Sequence, residues 1–267
     1  MNAKILNCKK LIAEKVLSSL SDFERENAAE HFAIEYTHDS AAIDGNSISL
    51  IGTRLILIDG IVPAETLVKD LDEVRSHADA WNFVKECATW KELMDEERIR
   101  EIHRRVSGRS ADGGQYRSIQ VYIKRARHIP PAPENVPHLM ADFCQRLSQD
   151  DFPSGMEKAA LAHAGLTGIL PFRTGNGLTA RLIMNCLLIE DGFLPVSIRK
   201  DSSAEYFAAL ESYALENDPA PFTEFLARLE EKAMDDFLWM YRQHIRPDEI
   251  KEESPQAAEI ARQYAEP

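Results

Sequence analysis

Apolar side chains return at helical spacing along almost the whole chain, and that recurrence limits the fold more than any other feature. It runs through Leu11 to Leu20, Glu24 to Tyr36, Leu67 to Cys87, Glu96 to Val106, Val136 to Leu147, Glu157 to Leu170, Leu178 to Asp191, Ala204 to Glu216 and Pro221 to Tyr241. Each stretch places its apolar residues on one helix face. With 267 residues and 44% apolar content, the chain can bury a sizeable core between such helices. The predicted fold class is mainly α. Two segments depart from the pattern. Gln115 to Lys124 carries β-branched and aromatic residues in rough alternation, which predicts a short β-hairpin, and the proline-rich His128 to Pro137 predicts an extended loop. No stretch reads as a flexible linker and no solenoid period is visible. The tail after Ile245 is predicted to fray or to form one short exposed helix.

A formal net charge of −13 argues against nucleic acid or an anionic membrane as partner, because both need broad basic surfaces. Any anion site must be small and local. Cys8, Cys87, Cys144 and Cys186 show no paired spacing, so they read as buried free thiols rather than zinc ligands or disulfides. Lysines interrupt the apolar N-terminal run, and no apolar stretch approaches spanning length. The expected setting is the reducing cytosol.

The most informative stretch runs from Gly165 to Arg181. A helix reaches Pro171, breaks, and restarts just after Gly175, Asn176 and Gly177. Glycines there permit positive φ and close approach, and the first turn of the new helix offers unpaired N–H groups and the positive end of its dipole. Such a loop can cradle a phosphate. Taken alone, Gly-Asn-Gly is also an ordinary helix–loop–helix connection.

The wider context separates the two. The segment Leu170-Pro171-Phe172-Arg173-Thr174-Gly175-Asn176-Gly177-Leu178-Thr179-Ala180-Arg181 resembles the signature of the Fic (Fido-domain) family, His-Pro-Phe-x-Asp/Glu-Gly-Asn-Gly-Arg-x-x-Arg. Family-like context continues through SAAIDGNSISL, IREIHRRV, GQYRSIQVYI, HIPPAPENVP and LLIEDGFLPVSIRK, in the family's order. The resemblance implies a Fic-like helical core with a hairpin flap. It also implies a reaction in which a Ser, Thr or Tyr hydroxyl of a target protein attacks a phosphate of a bound nucleotide, usually the α-phosphate of ATP, and receives AMP.

The departures bear on each part of that chemistry. The family's histidine base is replaced by Leu170, which cannot accept a proton, and loss of a general base costs about 10²–10⁴ in rate. The acidic residue that holds Mg²⁺ is replaced by Thr174, a poor ligand for a hard cation. The first arginine is replaced by Leu178. His163 precedes Leu170 by seven residues, about 10 Å along a continuous helix, and reads as a packed residue. Arg173 and Thr179 lie closer to a loop-bound ligand but accept no proton at neutral pH. Gly175, Asn176, Gly177 and Arg181 remain as candidate nucleotide- or phosphate-binding residues, with a structural salt bridge as the alternative for Arg181.

The resemblance further implies an inhibitory helix, carried here by Ser40, Asp44 and Gly45, with Asp44 where the family has the glutamate that pairs with the second arginine. Asp44 either reaches Arg181 or only ends a helix before Gly45. Tyr116, Ile119, Val121 and Ile123 of the flap either align a target by strand addition or only cover the core. Leu188 to Val196, Tyr206, Phe207 and Tyr213 either border an adenine pocket or belong to the core. The expected layout is an N-terminal helical extension over 1–33, a Fic-like domain over 34–245 and a charged tail over 246–267. The expected function is that of an inactive or impaired relative of protein adenylyltransferases, acting by binding or regulation. The alternatives are altered nucleotidyl or phosphoryl transfer with another donor or base, and an oligomeric scaffold. ATP or another nucleotide is the expected cofactor, with Mg²⁺ deprived of its acidic ligand and no other metal site. The expected partners are that nucleotide, a protein docked on the flap and a second copy of the chain, with neither nucleic acid nor membrane.

Overall fold

The computed structural model describes residues 3–91, 93–123, 126–149 and 151–265. Its helices are α1 (Ala3–Ser19), α2 (Asp22–Ile43), α3 (Leu50–Arg54), α4 (Val68–Trp90), α5 (Glu96–Val106), α6 (Val136–Leu147), α7 (Gly155–Ile169), α8 (Asn176–Glu190), α9 (Ser203–Glu216), α10 (Ala220–Met240), α11 (Pro247–Lys251) and α12 (Pro255–Ala265). The starts are set by local chemistry. Ser21 and Glu24 form a reciprocal capping box at α2, Asp95 accepts from Arg98 N–H at α5, and Ser154 accepts from Glu157 N–H at α7. These caps lie where the apolar periodicity begins, so the predicted and observed helices share most of their bounds.

Helix α8 is the centre of the molecule. From Leu178 to Leu188 every residue is buried, as expected of a helix that is apolar nearly all round. Helices α4, α5 and α7 pack on it, and α9 and α10 pack on α7. The resulting core includes Trp81, Ile99, Ile102, Leu166, Phe172, Tyr206, Phe222 and Phe225. Because α7 and α8 are sequential antiparallel neighbours, the loop 170–175 between them emerges at one end of the most buried pair.

Three expectations change. Among the described residues there is no β-strand, so the β-hairpin flap does not form. The segment 115–123 is an irregular strap, and Lys124, at the end of the expected hairpin, lies outside the described residues. The backbone of the described strap goes elsewhere: Arg117 N–H donates to Pro171 O at 2.9 Å, while the Gln120 side chain bridges Val121 O and Pro130 O. The tail does not end in one exposed helix. It forms α11 and α12, whose Ile250, Ala257, Ala258, Ala261 and Tyr264 are buried against Ile12 and Val16 of α1. Lys9 of α1 is buried and paired with Glu231 at 3.1 Å and Asp235 at 2.7 Å. Finally, α3 runs into a π-helical turn over Leu55–Asp59, stopped by Gly60 at φ 68°, where the sequence suggests no helix. Among the described residues no helix is long and apolar enough to cross a membrane.

Candidate functional site

Left-handed residues shape both ends of the loop 170–175. Leu170 caps α7 at φ 47° and returns its N–H to Leu166 O at 2.8 Å; Gly175 opens α8 at φ 72°. Gly175 is required twice over. Its φ suits glycine, and a Cβ there would stand 3.2 Å from Val106 Cγ1 and 3.5 Å from His103 Nε2. Asn176 faces inward rather than toward a ligand. Its Nδ2 donates to Phe172 O and its Oδ1 accepts from Phe172 N–H, both at 2.9 Å, so the amide closes the loop on itself.

His103 of α5 braces the loop from below. Gly114 N–H donates to its Nδ1 at 2.9 Å, which leaves the proton on Nε2, 3.0 Å from Thr174 O. Burial drives its pKa down to about 4, with only partial compensation from the Thr174 carbonyl and Asp112. The ring is therefore neutral and both nitrogens are engaged. Sequence reasoning did not single out His103, and its place within IREIHRRV carries no signal of this role.

The second arginine position is the most highly bonded part of the site. Arg181 is 1% exposed. Its Nε donates to Ser40 Oγ at 2.7 Å, one terminal nitrogen to Ser40 O and Asp44 Oδ2 at 2.9 Å each, and the other to Tyr206 Oη at 3.2 Å. Burial opposes the guanidinium charge, but Asp44, Tyr206 and Tyr36 outweigh it and hold the pKa above the usual arginine value. Asp44 also ends α2, its N–H bonding Ala41 O and Ala42 O. Asp44 thus reaches Arg181 as well as ending α2. Gly45 follows it at φ 99°.

Gly177 explains how Asp44 comes so near. A Cβ at that position would lie 3.3 Å and 3.4 Å from the two Asp44 oxygens and 3.1 Å from Arg181. The carboxylate therefore sits against the first turn of α8, where N–H groups without helical acceptors and the positive dipole end favour an anion. The bond the Asp44 carboxylate makes there is to Arg181.

The remaining candidates separate. Leu178 is 3% exposed and belongs to the core, while Thr174 stands in solvent. Thr179 is buried and its Oγ1 donates to Gly175 O at 2.8 Å, so it does not face a ligand. Arg173 is exposed, 3.4 Å from Asp112. His163 is fully buried against Phe222, with Nε2 3.1 Å from Tyr206 Oη. Tyr206 is buried in this network rather than bordering a pocket, and Phe207 is half exposed. On the strap, Tyr116 tilts against Phe172 with 5.8 Å between ring centroids, so it faces the core. Ile119 and Ile123 are exposed and Val121 is half-buried. Arg117 ties the strap to the loop by donating to Leu170 O, Ile119 O and Pro131 O. Among the described residues no His, Cys, Asp and Glu cluster of three or more is placed to hold a metal ion.

The Fic/DOC family model matches residues 93–188, which include α5, the strap, the loop and nearly all of α8. The chain is 33% identical to the protein adenylyltransferase Fic of Drosophila mojavensis over 245 residues, covering 86% of this chain and 48% of the relative. It is 36% identical to that of Nematostella vectensis over 219 residues, covering 80% of this chain and 50% of the relative. The chain thus spans about half the length of the curated relatives it matches. Among solved structures, Fic-1 from C. elegans superposes with a TM-score of 0.76 at 27% identity, over 88% of this chain and 71% of that one. A Fic-domain signalling protein from Bacteroides thetaiotaomicron superposes with a TM-score of 0.79 at 24% identity, over 89% and 96%, a likeness of fold. With the helix-break-helix loop, the central α8 and these matches in agreement, residues 93–188 form a Fic/DOC family domain, and the chain resembles Fic proteins over most of its length.

Proposed function

We propose that this chain binds the phosphates of a nucleotide such as ATP at the first turn of α8 and does not transfer AMP from it, so that it acts by binding or regulation. The observation that carries this reading is that the loop 170–175 itself carries no imidazole and no carboxylate. Leu170 stands at the position that the family resemblance assigns to the base. Of the imidazoles around the loop, His103 and His163 are buried and held neutral by burial, and His128, part-buried beside the end of α7, has its Nε2 2.8 Å from Gly168 O. Both nitrogens of His103 are engaged, and the unpartnered Nδ1 of His163 is buried. The relatives named protein adenylyltransferase supply the nucleotide as the expected ligand; Thr174 offers Mg²⁺ only a neutral hydroxyl.

In the same reading Asp44 competes with the nucleotide, because it occupies the positive end of α8 and the guanidinium of Arg181. The exposed Ile119, Tyr122 and Ile123 of the strap would receive a protein partner. The boundaries 1–33, 34–245 and 246–267 are kept as a proposal, with the two terminal segments bracing each other through α1 and α12.

The test is an ATP titration followed by thermal unfolding and, in parallel, a label-transfer assay with ATP labelled in its α-phosphate, for the wild type and Asp44→Ala. Stabilisation should approach about 2.7 kcal/mol at a hundred times the dissociation constant, with no label on the chain or on added proteins. Label transferred under Mg²⁺ or Mn²⁺ would overturn the reading.

A further inference from the structure

Arg181 has four acceptors around it, and they differ in one respect. Ser40, which supplies two of them, is 1% exposed, as is Tyr206. The Asp44 side chain is 32% exposed. An anion arriving from solvent can therefore take the place of only one partner. The other three hold the guanidinium in a fixed plane while that exchange occurs.

Of these three, Tyr206 alone comes from outside α2. Its hydroxyl lies 3.2 Å from one Arg181 terminal nitrogen and 3.1 Å from His163 Nε2. Arginine can only donate, so the oxygen accepts from Arg181, and its own proton goes to His163 when the neutral ring carries its proton on Nδ1, which has no partner among the described residues. His163 is fixed in turn by stacking on Phe222, 4.7 Å between centroids, and is fully buried. Burial and the Arg181 charge keep it neutral, the state that can accept. The polar chain Arg181, Tyr206, His163 thus crosses from α8 through α9 to α7, joining the helices on both sides of the loop.

We infer that Tyr206 is a positioning residue of this site: its hydroxyl, oriented by His163, aims the Arg181 guanidinium so that a phosphate oxyanion displaces Asp44 and nothing else. The inference rests on the reading of the loop as a phosphate site and deepens it. Preorganised donors bind an oxyanion more tightly than mobile ones because no orientation has to be found on binding. A phenylalanine at 206 keeps the packing against Phe225 and Phe222 but leaves one guanidinium nitrogen and His163 Nε2 without this partner.

The experiment compares wild type, Asp44→Ala, Tyr206→Phe and the double variant by ATP titration, together with ¹⁵N NMR of the arginine guanidinium groups. Asp44→Ala should bind ATP more tightly than wild type, and adding Tyr206→Phe should weaken that binding by about tenfold or more. In wild type the Arg181 terminal N–H protons should give separate signals, since both nitrogens are held, and they should merge in Tyr206→Phe. Equal ATP affinity of Asp44→Ala with and without Tyr206→Phe, in folded variants, would overturn the inference and leave the phosphate reading standing. Failure of Asp44→Ala to bind ATP would overturn the phosphate reading. The inference would fall with it; independently of ATP binding, merged Arg181 signals in the wild type would reject the positioning role without any variant having to fold.

Discussion

The imidazole of His103 lies flat on the ring of Phe172, with centroids 3.6 Å apart and planes within 1°. This stack joins α5 to the loop 170–175, and its chemistry depends on the ring staying neutral. Its two nitrogens play opposite parts, one accepting from Gly114 N–H and the other donating to Thr174 O. A second proton would turn the acceptor into a donor facing a donor.

Stability should therefore fall with acid before the carboxylates titrate. His103 is lowered to about 4 and His77 to about 3, both by burial first. Between those values and the unfolded imidazole pKa near 6.5, the unfolded state binds more protons than the native state. Stability is then fully present above about pH 6.5 and declines below it, by about 1.4 kcal/mol per pH unit for each such histidine. Urea unfolding from pH 7 to pH 4.5 should show this slope, reduced by one histidine's share in His103→Gln. An unchanged slope would show that His103 does not titrate in this way.

Glu230 should produce the opposite slope at higher pH. It is fully buried, its Oε1 accepts from Leu194 N–H at 2.8 Å, and its Oε2 has no partner among the described residues. Burial raises its pKa to about 8, against weaker lowering by Leu194 N–H and Lys10. Between about pH 4.5 and 8 the native state holds the proton that the unfolded state releases, so stability falls as pH rises. Glu230→Gln keeps the acceptor and removes the charge. It should remove this decline and be more stable than wild type at pH 8, as measured by chemical denaturation.

Asn176→Ala should destabilise the fold by about 2–4 kcal/mol, since it leaves the buried N–H and C=O of Phe172 unpaired together. Urea unfolding measures this loss, and a change below about 1 kcal/mol would show that the two Phe172 groups find other partners.

The helices were legible because apolar period and caps coincide, as at Asp95 and Ser154. The loop was legible because Pro171 and Gly175 to Gly177 cannot continue a helix. What the sequence could not convey was direction. Asn176 and Thr179 look like ligand-facing polar residues, yet both bond the loop's own backbone. Tyr206 looks like a pocket aromatic, yet its hydroxyl belongs to Arg181. The alternation in Tyr116 to Ile123 suggested a hairpin, but Arg117 inside it is drawn to the carbonyls of the loop, and a side chain anchored there competes with strand pairing. The C-terminal tail misled through its charge, which masks the alanine stripe of α12.

Two substitutions toward the family signature should differ sharply. Leu170→His replaces a residue at φ 47°, a conformation in which histidine is commoner than leucine, and should leave stability within about 1 kcal/mol of wild type. Leu178→Arg puts a charge into the core at a site 3% exposed and should cost about 3 kcal/mol or more. Thermal unfolding of the two proteins distinguishes these outcomes. Equal stability would mean that position 178 can turn its side chain to solvent.

The contact of α1 with α12 has a kinetic consequence. Lys9 and Tyr264 meet on the same carboxylate, Asp235, so this contact closes a ring that contains nearly the entire chain. Ring closure costs entropy that grows with the logarithm of the enclosed length, and the contact returns little until the intervening helices are already in place. It should be the last part to assemble and the first to open on warming. The clasp can then come undone while the loop beside α8 keeps its shape.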